Sequence, residues 1–299
     1  MRMIPRFSAL LLAASCLTAF GQSEYCLDGT VWDEALQGCV VDGQVDGCSL
    51  VYDGNNDGLV GSFDLIGFLT EFGAECSPEP TFSCGSPINY QGYDYETVQI
   101  GEQCWFAENL RAENYRNGDD IPADLSDNEW TSTNVGAVTV YGEDAGCQDL
   151  SPDINACDAS QALEEYGRLY NFYAVDDARG LCPSGWHVPE DGEWTVMIDE
   201  LGGEIVAGGK MKTTYGWRDG GNGTNSSGFS GLPGGLRWNN NWNIGDFYNA
   251  GEHGYWWSST PGGSGGYGRD IYYAQVDVDR NTYNAILGFS VRCIKDVEE

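Results

Sequence analysis

The hydrophobic positions in this chain change period along its length, and a different element follows from each change. A short basic segment, Met1–Arg6, precedes an unbroken apolar run from Phe7 to Phe20. Farther on, the apolar run Phe63, Leu65, Ile66, Phe68, Leu69 and Phe72 is expected to form a short helix. Glu96–Ile100 alternates like a half-buried strand, and Trp105 and Phe106 follow it. Pro189-Glu190-Asp191 is a helix start, with proline and two acids in the first turn. Trp194, Met197, Ile198 and Leu201 then form an i, i+3, i+4, i+7 stripe, and Gly202-Gly203 ends it. Between these segments the pattern is weak. Residues 77–91, with Pro78, Pro80, Gly85 and Pro87, read as a linker. Asp119–Asp158 reads as a polar insertion, and Gly208–Gly268, dense in Gly, Asn, Ser and Trp, as long loops crossed by short strands. Ile271–Val278 and Phe289–Ile294 read as the terminal strands.

The N-terminal pattern places the chain outside the cytoplasm. The Phe7–Phe20 run is too short to span a bilayer comfortably, and Ala19-Phe20-Gly21 puts small residues ahead of Gln22. Residues 1–21 are therefore expected to be a secretory signal, and the protein to be secreted or on the outer cell surface. Lipidation at Cys16 is the alternative, although Ala13-Ala14-Ser15 is a poor lipidation sequence. No later segment is apolar enough to cross a membrane. The chain holds 11 cysteines, and removing Cys16 with the signal leaves 11 − 1 = 10, an even number suited to disulfides in an oxidising compartment. Cys147 and Cys157 are expected to close the polar insertion locally. A formal net charge of −32 excludes nucleic acid as a natural partner.

Candidate chemistry is sharpest in Asp53-Gly-Asn55-Asn-Asp57-Gly58-Leu59, continued to Asp64. Oxygen-bearing side chains fall at positions 1, 3, 5 and 12 of an EF-hand-type loop, with glycine at position 6. Calcium, a hard cation taking about six to eight oxygens, is the expected cofactor. Its ligands would be Asp53, Asn55, Asp57, the Leu59 carbonyl and Asp64. The loop resembles a single dockerin repeat, in which Asp at the last position is normal. Cys48 and Cys76 bracket this segment, residues 48–76, and a bridge between them would staple a unit too small for its own core. Residues 22–47 hold a small loop closed by Cys26 and Cys39, similar in spacing to part of a peritrophin-type chitin-binding module. Without a Cys-x-x-Cys pair, and with His187 and His253 far apart, structural zinc is not expected.

From residue 92 to 295 the chain resembles the bacterial family named for the major paralogous domain of Fibrobacter succinogenes. The blocks that carry the resemblance include Gly101-Glu-Gln-Cys104-Trp105, Asn117-Gly118-Asp119 and Tyr166-Gly167-Arg168-Leu169-Tyr170-Asn171. They continue with Leu181-Cys182-Pro183-Ser-Gly185-Trp186-His187-Val188-Pro189, Gly208-Gly209-Lys210-Met211-Lys212 and Gly228-Phe229-Ser-Gly231. Tyr255-Trp256-Trp257 and Gly288-Phe289-Ser290-Val291-Arg292-Cys293 complete the set. The same blocks resemble, more distantly, the C-type-lectin-like fold, with a core over residues 166–293. The resemblance implies an α+β domain of short strands, two helices and long glycine-rich loops. Its first helix would lie between Tyr170 and Cys182 and its second over Glu190–Leu201. It further implies a Cys182–Cys293 disulfide, leaving Cys84 to pair with Cys104.

An enzyme is not expected. Formylglycine-generating enzymes are similar in fold but work through a cysteine pair, and no cysteine lies between Trp194 and Phe289. Gly228-Phe-Ser230-Gly231 departs from the Gly-x-Ser-x-Gly elbow. His187 reads as a packed structural residue, and spacing fixes no acid beside His253. Binding is the stronger expectation. Trp238, Asn239, Asn240 and Trp242 alternate aromatic faces with amides, the chemistry of a sugar site, inside a candidate recognition loop at 224–253. The expected partner is a glycan or a cell-surface protein, and a purely structural envelope or matrix role is the alternative.

Overall fold

The computed structural model describes residues 30–33, 38–41, 82–143, 146–239 and 244–297. The chain divides into two compact units, Met1–Phe82 and Ser83–Glu299. In the first, β1 (Thr30–Asp33) pairs antiparallel with β2 (Gly38–Val41), placing Trp32 opposite Cys39. The calcium-loop residues Asp53, Asn55, Asp57, Leu59 and Asp64 lie outside the described residues, as do Cys26, Cys48 and Cys76.

The second unit is mixed α and β, with more strand than helix. It starts earlier than the sequence suggests. Residues 83–91 were expected to be linker. Instead Cys84 is bonded to Cys104, and β3 (Ile88–Tyr90) pairs with β4 (Tyr93–Tyr95). A four-stranded sheet then joins both ends of the unit. Its order is β10 (Trp186–His187), β16 (Ile294–Lys295), β6 (Gln103–Phe106) and β5 (Thr97–Ile100). The Cys182–Cys293 disulfide lies at the same junction, both cysteines buried.

The larger sheet has six strands, in the order β15 (Asp279–Asn284), β14 (Gly265–Tyr272), β13 (His253–Gly262), β11 (Gly234–Asn239), β12 (Ile244–Ala250) and β8 (Cys147–Asp149). This corrects the expectation of long loops over Gly208–Gly268, because the two longest strands lie largely there. The glycines in them are not breakers. They make room for rings. A Cβ at Gly266 would lie 2.0 Å from the Phe172 ring, and one at Gly254 would lie 2.3 Å from Trp256. The terminal strands differ as well. Residues 273–278 turn rather than extend, β15 begins at Asp279, and Phe289 and Ser290 contribute only isolated bridges to Tyr170 and Trp256. The polar insertion is built into the fold. Its β8 joins the large sheet, Cys147 bonds Cys157, and β7 (Val138–Val140) pairs with β9 (Arg168–Tyr170).

Five α-helices occur among the described residues, not two. They are α1 (Asp127–Ser132), α2 (Ala159–Tyr166), α3 (Phe172–Val175), α4 (Asp191–Glu200) and α5 (Glu204–Met211). The helix expected between Tyr170 and Cys182 shrinks to the four residues of α3, and the longer helix ahead of it is α2. There the Asp158 carboxylate accepts the Ser160 N–H at 3.0 Å as N-cap. Gly167 ends α2 at φ 73°, where a side chain would be strained and its Cβ would lie 3.0 Å from the Leu110 carbonyl oxygen. The α4 stripe is as expected, with Trp194, Met197 and Ile198 buried.

The main core gathers indole and phenyl rings between α4, α5 and the sheets. Trp105 and Trp194 lie 5.0 Å apart, and Phe229 meets Trp105, Trp194 and Trp256 edge-on at 6.2, 5.8 and 5.6 Å. Trp256 and Trp257 are both fully buried. One buried polar network crosses this core, although the Trp194 Nε1 donor is buried without a partner among the described residues. The Asn109 side-chain oxygen accepts from Trp256 Nε1 at 2.9 Å and from Arg292 Nε at 2.7 Å. Arg292 spends its other donors on the carbonyls of Phe106, Phe229 and Ser230. Lys212, equally buried, donates to the carbonyls of Tyr272, Tyr273 and Gln275, which fixes the turn after β14.

Candidate binding groove

Of the residues proposed from sequence, Trp238 and Asn239 end β11, and Trp238 is half-buried. Asn240 and Trp242 lie outside the described residues. A better-formed concavity lies elsewhere, and the β3–β4 hairpin builds its first wall. Gln91 and Gly92 both have positive φ, 49° and 82°, the geometry of a two-residue turn that matches strand twist. The turn carries the Gln91 side chain to the chain segment at 113–114. There its oxygen accepts the N–H groups of Glu113 and Asn114 at 3.0 and 3.2 Å, and its nitrogen donates to the Asn114 carbonyl at 2.8 Å. One side chain thus holds two backbone residues in register.

Two adjoining cavities share Glu113 and Asn114 as a common wall. The first, about 630 Å³, is completed by Gln91, Gly92, Tyr93 and Arg111. The Arg111 guanidinium lies over the Tyr93 ring, 5.6 Å from its centre, so a cation sits on one face of that ring. The second, about 550 Å³, is lined by Glu113, Asn114, Asp120, Asp124, Glu143 and Arg168, with Ile121, Pro122 and Ala123 as its apolar floor. Asn114 donates to the Asp120 carboxylate at 2.7 Å, which folds the 114–120 turn back on itself. Arg168 is buried, donates through Nε to the Arg111 carbonyl at 3.1 Å, and pairs through Nη2 with Glu113. The groove is therefore polar, with one exposed ring face and an excess of acceptors.

Sequence reasoning did not find this groove. Its residues come from four separated stretches, at 91–93, 111–124, 143 and 168, and none of them is a motif alone. The Gln91-Gly92 turn was the available signal.

The histidines also differ from expectation. His187 is not packed away. It is half-exposed and clamped between carboxylates, with Nε2 2.9 Å from Glu193 and Nδ1 2.5 Å from Asp296. The bond to Glu193, more than that to Asp296, pushes its pKa up to about 9, so the ring is an imidazolium at neutral pH. A cavity of about 440 Å³ beside it also holds Ser259. An imidazolium with both nitrogens committed has no lone pair to offer that hydroxyl. His253 does have an acid nearby. Its Nδ1 is 3.7 Å from Asp270, brought close by the β13–β14 pairing, but that distance is too long for a hydrogen bond.

The profile of the Fibrobacter succinogenes major domain family matches residues 98–295, about two thirds of the chain. The chain belongs to that family. No curated protein and no solved structure matches it. In this family member the blocks quoted above fall mostly on the core. Gly208 and Gly209 let α5 pass against Val276 and Asp277, and Lys212 anchors the turn beyond. Asn109, Trp256 and Arg292 form one buried network. Arg168 lines the groove, and the Asn117-Gly118-Asp119 turn connects two of its lining residues, Asn114 and Asp120. No helix among the described residues is long and apolar enough to cross a membrane.

Proposed function

We propose that this chain is a non-catalytic, exported or surface-held recognition module, and that the groove at Glu113–Asn114 binds carbohydrate. The observation that carries this reading is the pairing of the half-exposed Tyr93 ring with amides, carboxylates and two arginines in adjoining polar cavities. Sugars need an aromatic face for their C–H groups and planar polar groups for their hydroxyls. The state of His187 supports a binding role over hydrolysis. The strands from both ends of the second unit that meet beside Cys182–Cys293, and the position of α4, support a C-type-lectin-like reading of the fold. Calcium remains part of the proposal on sequence spacing, at Asp53, Asn55, Asp57, the Leu59 carbonyl and Asp64. Calorimetry should show calcium binding that is lost in Asp53→Ala with Asp57→Ala. Equal heats for wild type and variant would reject the site.

A glycan array, followed by titration of the strongest hit, tests the recognition reading. Tyr93→Ala is expected to weaken binding about tenfold or more, equivalent to roughly 1.4 kcal/mol, with the fold intact. Trp238→Ala should bind like wild type. The reverse result would move recognition to the β11–β12 hairpin. A surface protein as sole partner, or a purely structural role in an envelope or matrix, would leave the array blank.

A further inference from the structure

We infer that Gln91 is a positioning residue of the groove. It holds the Arg111–Asn114 wall in its binding shape, and the β3–β4 turn gives up its preferred residue to allow this. The inference rests on the carbohydrate reading and names the residue that readies the site. Gln91 is the first of the two turn residues between β3 and β4, at φ 49°, where Asn, Asp or Gly is preferred. Five other non-glycine residues among the described ones have positive φ, and four of them are Asp or Asn. Glutamine lacks the short polar side chain that eases this conformation, so the turn alone does not account for it. Strained backbone persists where the surrounding structure over-determines it, and ligand clamps are one such place.

The side chain accounts for the choice. Its three bonds to Glu113 and Asn114 cross 22 and 23 residues of sequence and hold a wall that belongs to no helix or strand. The rest of that wall is pinned in the same way. The Arg111 N–H donates to the Tyr95 hydroxyl at 2.9 Å, and the Arg111 carbonyl accepts from Arg168. The Ala112 carbonyl accepts the Tyr170 hydroxyl at 2.7 Å, and the Glu113 carbonyl accepts the Ile121 N–H at 3.0 Å. Among the described residues, every backbone group from Arg111 to Asn114 except the Ala112 N–H thus has a protein partner. An extended peptide could not add itself here as a strand, because that needs a row of free backbone groups. The wall therefore reads its ligand through side chains. A wall pinned before the ligand arrives loses little freedom on binding, which is how preorganisation raises affinity.

Two variants of the full chain test this. Gln91→Asn gives the turn its favoured Asn-Gly pair and shortens the side chain by a methylene, and Gln91→Gly relieves the positive φ and removes the side chain altogether. By hydrogen exchange, the Glu113 and Asn114 amides should exchange about tenfold faster in both variants than in wild type. The urea midpoint of Gln91→Asn should stay at or above that of wild type, as at other sites where function opposes stability. Titration calorimetry then uses the hexamers of glucose, xylose, mannose and N-acetylglucosamine as probes. The hexamer that wild type binds best should bind both variants about fivefold more weakly or worse. Affinity and stability would thus move apart, which a residue that only staples the hairpin would not produce. A lowered urea midpoint with unchanged affinity per folded molecule would overturn the inference and make Gln91 such a staple. Unchanged exchange at both amides would overturn the clamp itself. Faster exchange with wild-type affinity would overturn the positioning role and leave the carbohydrate reading standing. No binding of any of the four hexamers to wild type would overturn both.

Discussion

Cys182→Ala with Cys293→Ala should lower the unfolding free energy by about 4–5 kcal/mol. The bridge closes 111 residues, the longest loop of the three disulfides among the described residues. In the chain-entropy picture the stabilisation comes from the unfolded state, which loses freedom when two distant points are tied. The native side contributes as well, because Cys293 lies beside β16, which pairs with both β6 and β10. Without the bridge, the short pairings of β16 with β10 and β6 must hold this end of the unit, together with the backbone bond from the Phe106 N–H to the Cys293 carbonyl. The local Cys147–Cys157 bridge spans only 10 residues and should matter less. Urea denaturation of the oxidised protein checks the difference. A loss in the double variant no larger than for Cys147→Ala with Cys157→Ala would show that the long bridge adds no constraint beyond packing.

The parts of this fold legible in the sequence were those with short-range rules. The α4 stripe needed only helical periodicity, and Glu96–Ile100 only alternation. The disulfides followed from neighbour spacing and from a family resemblance covering Cys182 and Cys293. Misreadings came where long-range packing overrode local preference. Gly254 and Gly266 suggested loops, yet they sit in strands because Trp256 and Phe172 occupy the space a Cβ would fill. Val138–Val140 looked like part of a polar insertion because its strand partner, β9, begins 28 residues beyond it. The groove was hidden for the same reason. Gln91 and Glu113 meet only once the β3–β4 hairpin has turned, and Arg168 reaches Glu113 across 55 residues. Trp238 and Trp242 drew notice because aromatic and amide residues alternate there, but composition cannot distinguish a ring that binds from one that packs.

Arg292→Met should cost about 3–5 kcal/mol, although methionine fits the space and removes a buried charge. Two effects oppose each other. Burial disfavours the guanidinium and pulls its pKa below the ordinary value, so replacing it relieves desolvation. Against that stand its acceptors. Arg292 is fully buried and donates to the Asn109 side chain at 2.7 Å, to the Phe106 and Phe229 carbonyls at 2.9 and 2.8 Å, and to the Ser230 carbonyl at 3.0 Å. Methionine satisfies none of them. Each orphaned buried acceptor costs roughly 1–3 kcal/mol, and Asn109 retains a second donor, from Trp256. The acceptors therefore outweigh the relieved charge. The loss should also be coupled. Adding Asn109→Leu to Arg292→Met should cost less than the sum of the two single changes, by about 1 kcal/mol or more, because the pair shares one bond. Urea titrations of the two single variants and the double variant measure both quantities. If Arg292→Met were as stable as wild type, the network would be dispensable and the ring packing around Phe229 would hold this junction by itself.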